Sequence, residues 1–195
     1  MAEGKKDIRV IRTRKAIMEA FIDLSRKKEF KDITIKDITE AAMINRATFY
    51  YHFVDIYDLL EKALIEVLSV NLSSKPYHDQ ELNEDMIVHI FQAITNFQES
   101  LHNRCYRGYE DIIARIIRDQ LEVIFYQVLQ NQFINEDEHS LQTLATMLSW
   151  GLYGASEEWR RSSEKIAPEQ YIRPLLPFLK KGIMNVSEIQ KEPTQ

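Results

Sequence analysis

Residues 34–53 read TIKDITEAAMINRATFYYHF, and the fold turns on how this stretch is parsed. Thr34 is a good helix N-cap, and Asp37 follows three residues later as in a capping box. A short helix is therefore expected, with Ile35, Ile38 and Ala42 facing inward. A second short helix is expected near 46–52, capped by Asn45. Helices of this length are marginal alone, so each needs the other and the helix before them for a core. That preceding helix is read at 9–27, with Ile17, Ala20, Phe21 and Leu24 on one face. Two short helices joined by a three- or four-residue turn follow the helix-turn-helix plan. If Phe49 and Phe53, four apart, pack inward, then Arg46, Thr48, Tyr50, Tyr51 and His52 are distributed around the other faces. Such a surface suits a nucleic-acid duplex: Arg bonds guanine edges bidentately, and Tyr and Thr hydroxyls reach phosphates or bases. Packing of Tyr50, Tyr51 and His52 against neighbouring helices is the plainer alternative.

Outward from this stretch the pattern stays helical. The chain of 195 residues holds only 5 Gly and 5 Pro, and apolar residues recur at helical spacing rather than alternating, so an all-α fold is expected. A fourth helix starts near Asp55 with Leu59, Leu60, Ala63, Leu64, Val67 and Leu68 as its stripe. Asn71–Glu84 is the clearest loop, followed by helices near 84–103, 106–132, 139–163 and 168–185. Pro174 and Pro177 lie within the last of these and call for a kink or a late start. The tail from Ser187 is polar. The domain expectation is a small N-terminal unit, residues 1–54, and a larger helical one, residues 55–195.

Composition excludes several classes. With 45% hydrophobic and 28% charged residues, the chain matches an ordinary globular protein. MAEGKKDIRV has no apolar core of a signal peptide, and no uncharged apolar run approaches the ~20 residues of a membrane span. A lone Cys105 excludes an internal disulfide. The cytoplasm is the expected location. Residues 1–62 hold 13 Lys and Arg against 11 Asp and Glu, a slight excess of positive charge in a chain of net charge −5. Basic residues gathered at one end of an acidic chain can bind phosphates locally, although short basic stretches are also ordinary surface. For catalysis the candidates are thin. His102 and Cys105 stand three apart beside Arg104 and Arg107, an arrangement that can lower a thiol pKa. Further metal-ligand pairs, a nucleophile triad and a Gly-rich phosphate loop are not found. Glu110–Asp111 and Glu157–Glu158 read as helix-surface charges. No catalytic residue, metal site or cofactor is expected, and the protein is not read as an enzyme.

Between Thr13 and Leu64 the chain carries I-T-x-x-D-I-x-x-A-A at 33–42, T-F-Y-Y-H-F at 48–53 and D-L-L at 58–60. This run resembles the DNA-binding domain of the TetR (tetracycline-repressor) family. The resemblance covers about the first third of the chain. It implies a three-helix DNA-binding domain followed by a helical ligand-binding and dimerisation domain. Carried onto this sequence, it places Thr34 and Lys36 on a phosphate, Arg46 and Ala47 on bases, and Thr48, Tyr51 and His52 on the DNA backbone. Tyr50 would reach a base or a phosphate, and Phe49 and Phe53 would be core. Lys5, Lys6, Arg9, Arg12 and Arg14 would form an arm toward the duplex, or a basic tail. The sequence also departs from the family pattern. Glu29 and Met43 stand where glycines are usual, so the turns differ or each costs about 1 kcal/mol in a left-handed backbone. Val54, Asp55 and Ile56 stand where a phosphate-binding lysine is common.

For the remaining two thirds, the resemblance implies a helical ligand-binding and dimerisation domain, and the apolar stripes of the last two helices are read as a four-helix dimer interface. A seam of Leu148, Leu152, Ala155 and Trp159, with Ile172, Leu175, Leu176 and Leu179, is the expected interface, an intrachain core being the alternative. Small residues Ser149, Gly151, Gly154 and Ala155 lie along its middle. An apolar or aromatic effector pocket is expected from Phe91, Phe97, Tyr106, Tyr109, Trp150 and Tyr153. The functional expectation is a homodimeric repressor released from a palindromic operator in double-stranded DNA by a small effector. A DNA-bound coactivator or nucleoid-associated protein, governed by a protein partner, is the alternative.

Overall fold

The computed structural model describes residues 8–72, 82–102, 109–164 and 166–179. Among these residues the chain is all helix, without a strand. The elements are α1 (Ile8–Ser25), α2 (Ile35–Ala41), α3 (Arg46–His52), α4 (Ile56–Leu72), α5 (Glu84–His102), α6 (Glu110–Gln132), α7 (Glu138–Arg161) and α8 (Pro168–Ile172). Single 3-10 turns occupy Phe30–Asp32 and Arg173–Leu175. Lys5, Lys6, Arg104, Cys105, Tyr106, Arg107 and the tail from 180 lie outside the described residues.

The chain forms two compact units. The first runs through Val67 and includes Gln98–Ile116; the second comprises Leu68–Phe97 and the chain from Ile117. The sequence put the boundary inside or just before α4, with 54/55 as the division, and the units divide inside that helix, at Val67/Leu68. Leu59, Leu60, Ala63 and Leu64 of α4 are buried in the first unit, and burial of that stripe keeps the helix with α1 to α3. The start of α6 belongs there too. The Tyr109 ring meets Phe30 edge-on with centroids 4.5 Å apart, and Arg115 binds Glu61 at 3.1 Å.

Within the first unit every short helix is capped by a side chain. Thr34 Oγ1 accepts the Asp37 N–H at 3.2 Å, and Asp37 Oδ2 accepts the Thr34 N–H at 2.9 Å, completing the capping box. Asn45 Oδ1 accepts the Thr48 N–H at 2.8 Å. Asp55 Oδ1 accepts from the N–H groups of Tyr57 and Asp58, each at 2.8 Å, and opens α4. Each cap satisfies a backbone donor that a helix start leaves unpaired. The two expected glycine positions behave differently. Glu29 is extended at φ −64°, ψ 146° and needs no glycine. Met43 sits in the left-handed region at φ 53°.

In the second unit α5 buries Met86, Ile90, Phe91, Ile94 and Phe97, α6 buries Leu121, Phe125 and Val128, and α7 buries Leu141, Ala145, Leu148, Leu152 and Trp159. Asp137 caps α7 by accepting the Ser140 N–H at 2.9 Å. The helix expected over 168–185 is interrupted after Ile172 by the 3-10 turn that contains Pro174, and α-helix resumes at 176–179. Proline lacks the N–H an α-helix needs, and its ring crowds the carbonyl four residues back.

Candidate nucleic-acid interface

α3 is two-faced. Phe49 and Phe53 are 0% and 1% exposed, with ring centroids 5.8 Å apart. Arg46 and Ala47 are exposed, Tyr50 and Tyr51 are 47% and 72% exposed, and Thr48 and His52 are half-buried. Seven residues are therefore held by two phenylalanines on one side while the other side carries cationic, phenolic and imidazole groups. Thr34 and Lys36 are exposed at the start of α2. All eight residues named from the sequence thus lie within the α2–α3 segment and retain at least partial exposure.

Their local bonds differ. Arg46 donates to the Tyr50 hydroxyl at 3.3 Å, and its guanidinium lies 5.7 Å from the centre of the Tyr50 ring. Thr48 Oγ1 donates to Asn45 Oδ1 at 2.9 Å, and Thr34 Oγ1 donates to Asp37 Oδ2 at 2.8 Å. Both threonine hydroxyls therefore serve the helix caps, a second role that competes with phosphate contact. Lys36 pairs with Glu40 at 3.8 Å, a surface pair worth little against solvent. The His52 ring stands edge-on to Tyr51 at 5.0 Å. Burial, and then the charge of Arg14, pushes its pKa below the ordinary value.

Arg14 belongs under the recognition helix rather than in an arm. Its guanidinium lies 5.6 Å from the centre of the Phe53 ring, and it pairs with Glu66 at 3.8 Å. Lys62 approaches the same ring at 5.5 Å. Sequence reading missed this arrangement because it joins residues from α1, α3 and α4 that only packing brings together. The acids near the start of α4 are also occupied. Asp55 caps the helix, while Asp58 accepts from Lys62 at 2.8 Å and the Val54 N–H at 3.0 Å. Burial alone would raise the Asp58 pKa, but the bonds from Lys62 and Val54 outweigh it and hold the carboxyl below its usual value.

The described aromatic residues named for an effector pocket have these surroundings. Phe91 and Phe97 are fully buried core, with Phe91 stacked on Tyr171 at 5.9 Å. Tyr109 packs on Phe30 and Tyr57 in the first unit. Trp150 is 56% exposed and carries the Arg118 guanidinium 4.0 Å above its ring; Tyr153 flanks the same group at 5.4 Å. Tyr106 lies outside the described residues. An open recess of about 370 Å³ is lined instead by Val70, Asn71, His89, Gln92, Ala93 and Asn96. Among the described residues no cluster of His, Cys, Asp or Glu fits a metal ion, and no helix is long and apolar enough to cross a membrane.

Of the two readings of the expected seam, burial within the chain fits the intrachain core for most of its residues. Leu148, Leu152, Trp159, Ile172 and Leu176 are buried within the chain itself. Trp159 also donates its indole N–H to the Ile166 carbonyl at 2.9 Å. A side chain already sealed by its own subunit has little surface left for a partner. Ala155 and Leu179 are half-buried, and Leu175 is exposed. Exposed apolar residues of this region include Met147 and Trp150 of α7, Ile166 before α8, and Leu175 and Phe178 after it. Gly151 and Gly154 share the exposed face of α7, with open space where a Cβ would stand.

Comparison with known proteins agrees with this architecture. A family model described as bacterial regulatory proteins, tetR family, matches residues 17–63, which span the α1 core positions to Ala63 of α4. The uncharacterised HTH-type transcriptional regulator YxbF of Bacillus subtilis (strain 168) is 47% identical over 102 residues, covering 48% of this chain. The chain spans only 27% of that relative's length. Three solved structures share the fold at low identity. A TetR transcriptional regulator from Streptococcus agalactiae 2603V has a TM-score of 0.57 and 21% identity, covering 89% of this chain and 97% of its own. The TetR family repressor AlkX from Dietzia sp. has a TM-score of 0.55 and 15% identity, covering 86% and 95%. Salmonella enterica GusR has a TM-score of 0.53 and 17% identity, covering 92% and 100%. The family match falls on the very segment whose outward face is built from Arg46, Tyr50 and Tyr51. Residues 17–63 thus match the model of bacterial regulatory proteins, tetR family, and the fold of the chain is shared with regulators of that family.

Proposed function

We propose that the protein is a sequence-specific DNA-binding regulator, a homodimeric repressor that places α3 of each subunit in the major groove. The observation that carries this reading is the two-faced construction of α3: Phe49 and Phe53 are sealed in the core while Arg46, Tyr50 and Tyr51 stand in solvent. A helix held this way offers donors to base edges and phosphates without disturbing its own support. Ala47 leaves room for close approach, and Thr34, Lys36, Thr48 and His52 border the same segment. The second subunit would dock on the apolar face of Met147, Trp150, Gly151 and Gly154 with Leu175 and Phe178. Two recognition helices about 34–36 Å apart then read half-sites one turn apart in a palindrome. Release by a small effector completes the reading, with a coupling of about 1–3 kcal/mol changing operator affinity roughly 5- to 150-fold.

Selection of bound fragments from genomic DNA tests the proposal. One or a few palindromes ahead of promoters are expected. On such a fragment, Arg46→Ala or Tyr50→Ala should weaken binding by about 1–3 kcal/mol while fold and dimer persist. Binding by both variants at wild-type strength, or indifference of the wild type to duplex at low salt, would refute it.

A further inference from the structure

Arg46 occupies an electrostatically unfavourable place. It opens α3, where unpaired backbone N–H groups carry partial positive charge, and the first turn holds no acid. Among the described residues no carboxylate pairs with Arg46, whereas Lys28, Lys36 and Lys62 contact carboxylates at 3.0, 3.8 and 2.8 Å. Its partner is the neutral phenol of Tyr50, four residues on, bonded at 3.3 Å and lying beneath the guanidinium. Tyr50 is itself anchored. Its ring meets the buried Phe49 ring edge-on, with centroids 5.5 Å apart and planes at 88°. A chain of contacts thus runs from the core through Phe49 and Tyr50 to an exposed guanidinium that no acid among the described residues neutralises.

We propose that Arg46 and Tyr50 act as one reading unit, in which Tyr50 is a positioning residue that holds the Arg46 fork against the edge of a guanine in the major groove. The inference rests on the DNA-binding reading above and goes further, by naming the base and giving Tyr50 a role other than its own contact. The chemistry selects guanine. The planar guanidinium keeps N–H donors beyond the one given to Tyr50, and guanine O6 and N7 are the paired acceptors that an arginine fork fits. Residues at the N-terminal end of a recognition helix are those that approach base edges. Ordering a long side chain in advance removes rotamer freedom that binding would otherwise have to freeze. Tyr50 supplies that order because its hydroxyl and its ring constrain Arg46 together.

Sites selected from a randomised duplex pool by the wild type, Arg46→Lys and Tyr50→Phe provide the test, with circular dichroism to confirm folding. Both substitutions are on exposed positions, and Tyr50→Phe retains the ring. The wild type should enrich sites with one constant guanine in each half. Arg46→Lys keeps the charge and loses the fork, so preference for that guanine should fall about tenfold or more, with the other positions and the salt dependence unchanged. Tyr50→Phe should relax the same position by roughly three- to tenfold and no other. A Tyr50→Phe profile identical to the wild type would overturn the positioning role. Retention of the guanine by Arg46→Lys would overturn the fork, as would a loss spread evenly over all positions. A wild type that enriches no sequence would remove the DNA-binding reading itself, and the inference with it.

Discussion

At Met43 the backbone adopts φ 53° with a side chain almost wholly in solvent. A left-handed L-residue costs roughly 1–2 kcal/mol, and an exposed side chain returns little packing to offset it. Met43→Gly should therefore raise the free energy of unfolding by about 1 kcal/mol, read from the urea midpoint; a fall in stability would mean that the thioether packs in a way its exposure conceals. Glu29→Gly, at an extended position, should destabilise instead through added freedom in the unfolded chain. Asp37 gives a pH signature. The Thr34 backbone N–H, the Thr34 hydroxyl and Lys28 lower its pKa from 3.8 to about 2. The folded state then binds fewer protons than the unfolded one in that interval, so the contribution is complete above about pH 4 and is lost as pH falls toward about 2. Asp37→Asn should be less stable than the wild type at pH 6, and the two should converge on acidification. A gap that stays constant to pH 2 would contradict the capping role. Both effects were partly readable in advance, because Thr34 and Asp37 are spaced as a capping box and Met43 fills a turn between two short helices. Which of Glu29 and Met43 carries the strain depends on backbone angles that residue identity does not report.

The recognition helix separates stability from binding along its two faces. Phe49→Ala removes a ring that is 0% exposed and should cost about 3–5 kcal/mol, enough to melt the first unit in a marginal protein. Arg46→Ala removes a cation from a helix start and should leave stability unchanged or raise it by about 0.3–1 kcal/mol. Thermal denaturation of the two variants tests the division, and comparable destabilisation by both would show that α3 is not two-faced. α4 is joined to this helix through the Phe53 ring, which Arg14 and Lys62 approach at 5.6 and 5.5 Å. Helix periodicity placed α1 to α4 to within two residues at most ends, because their apolar stripes and cap residues agree. In the last helix Pro174 interrupts the α-helix after Ile172 and helix resumes at 176–179, the break in regularity that the two prolines call for.

For the molecule as a whole, the decisive contrast is between two neighbouring stripes of α7. Met147 is 67% exposed and Leu152 is 5% exposed. Under the proposed assembly, Met147→Glu should leave the subunit folded, shift sedimentation from dimer to monomer and weaken binding to a two-half-site fragment. Leu152→Glu buries a charge without a partner and should unfold the second unit outright. A dimer that survives Met147→Glu together with Trp150→Glu would send the search for the interface elsewhere. Helical class, the caps at Thr34 and Asn45, and the inward direction of Phe49 and Phe53 were all legible in the chain, since caps and periodicity are local properties acting over three or four residues. Periodicity also showed that α7 is apolar, yet could not say which stripe is sealed by its own subunit, nor that Arg14 lies against the Phe53 ring, nor that Phe91 and Phe97 are fully buried while Trp150 stands in solvent. Those outcomes depend on contacts between residues far apart in the chain, where shape and burial, rather than spacing, choose the neighbour.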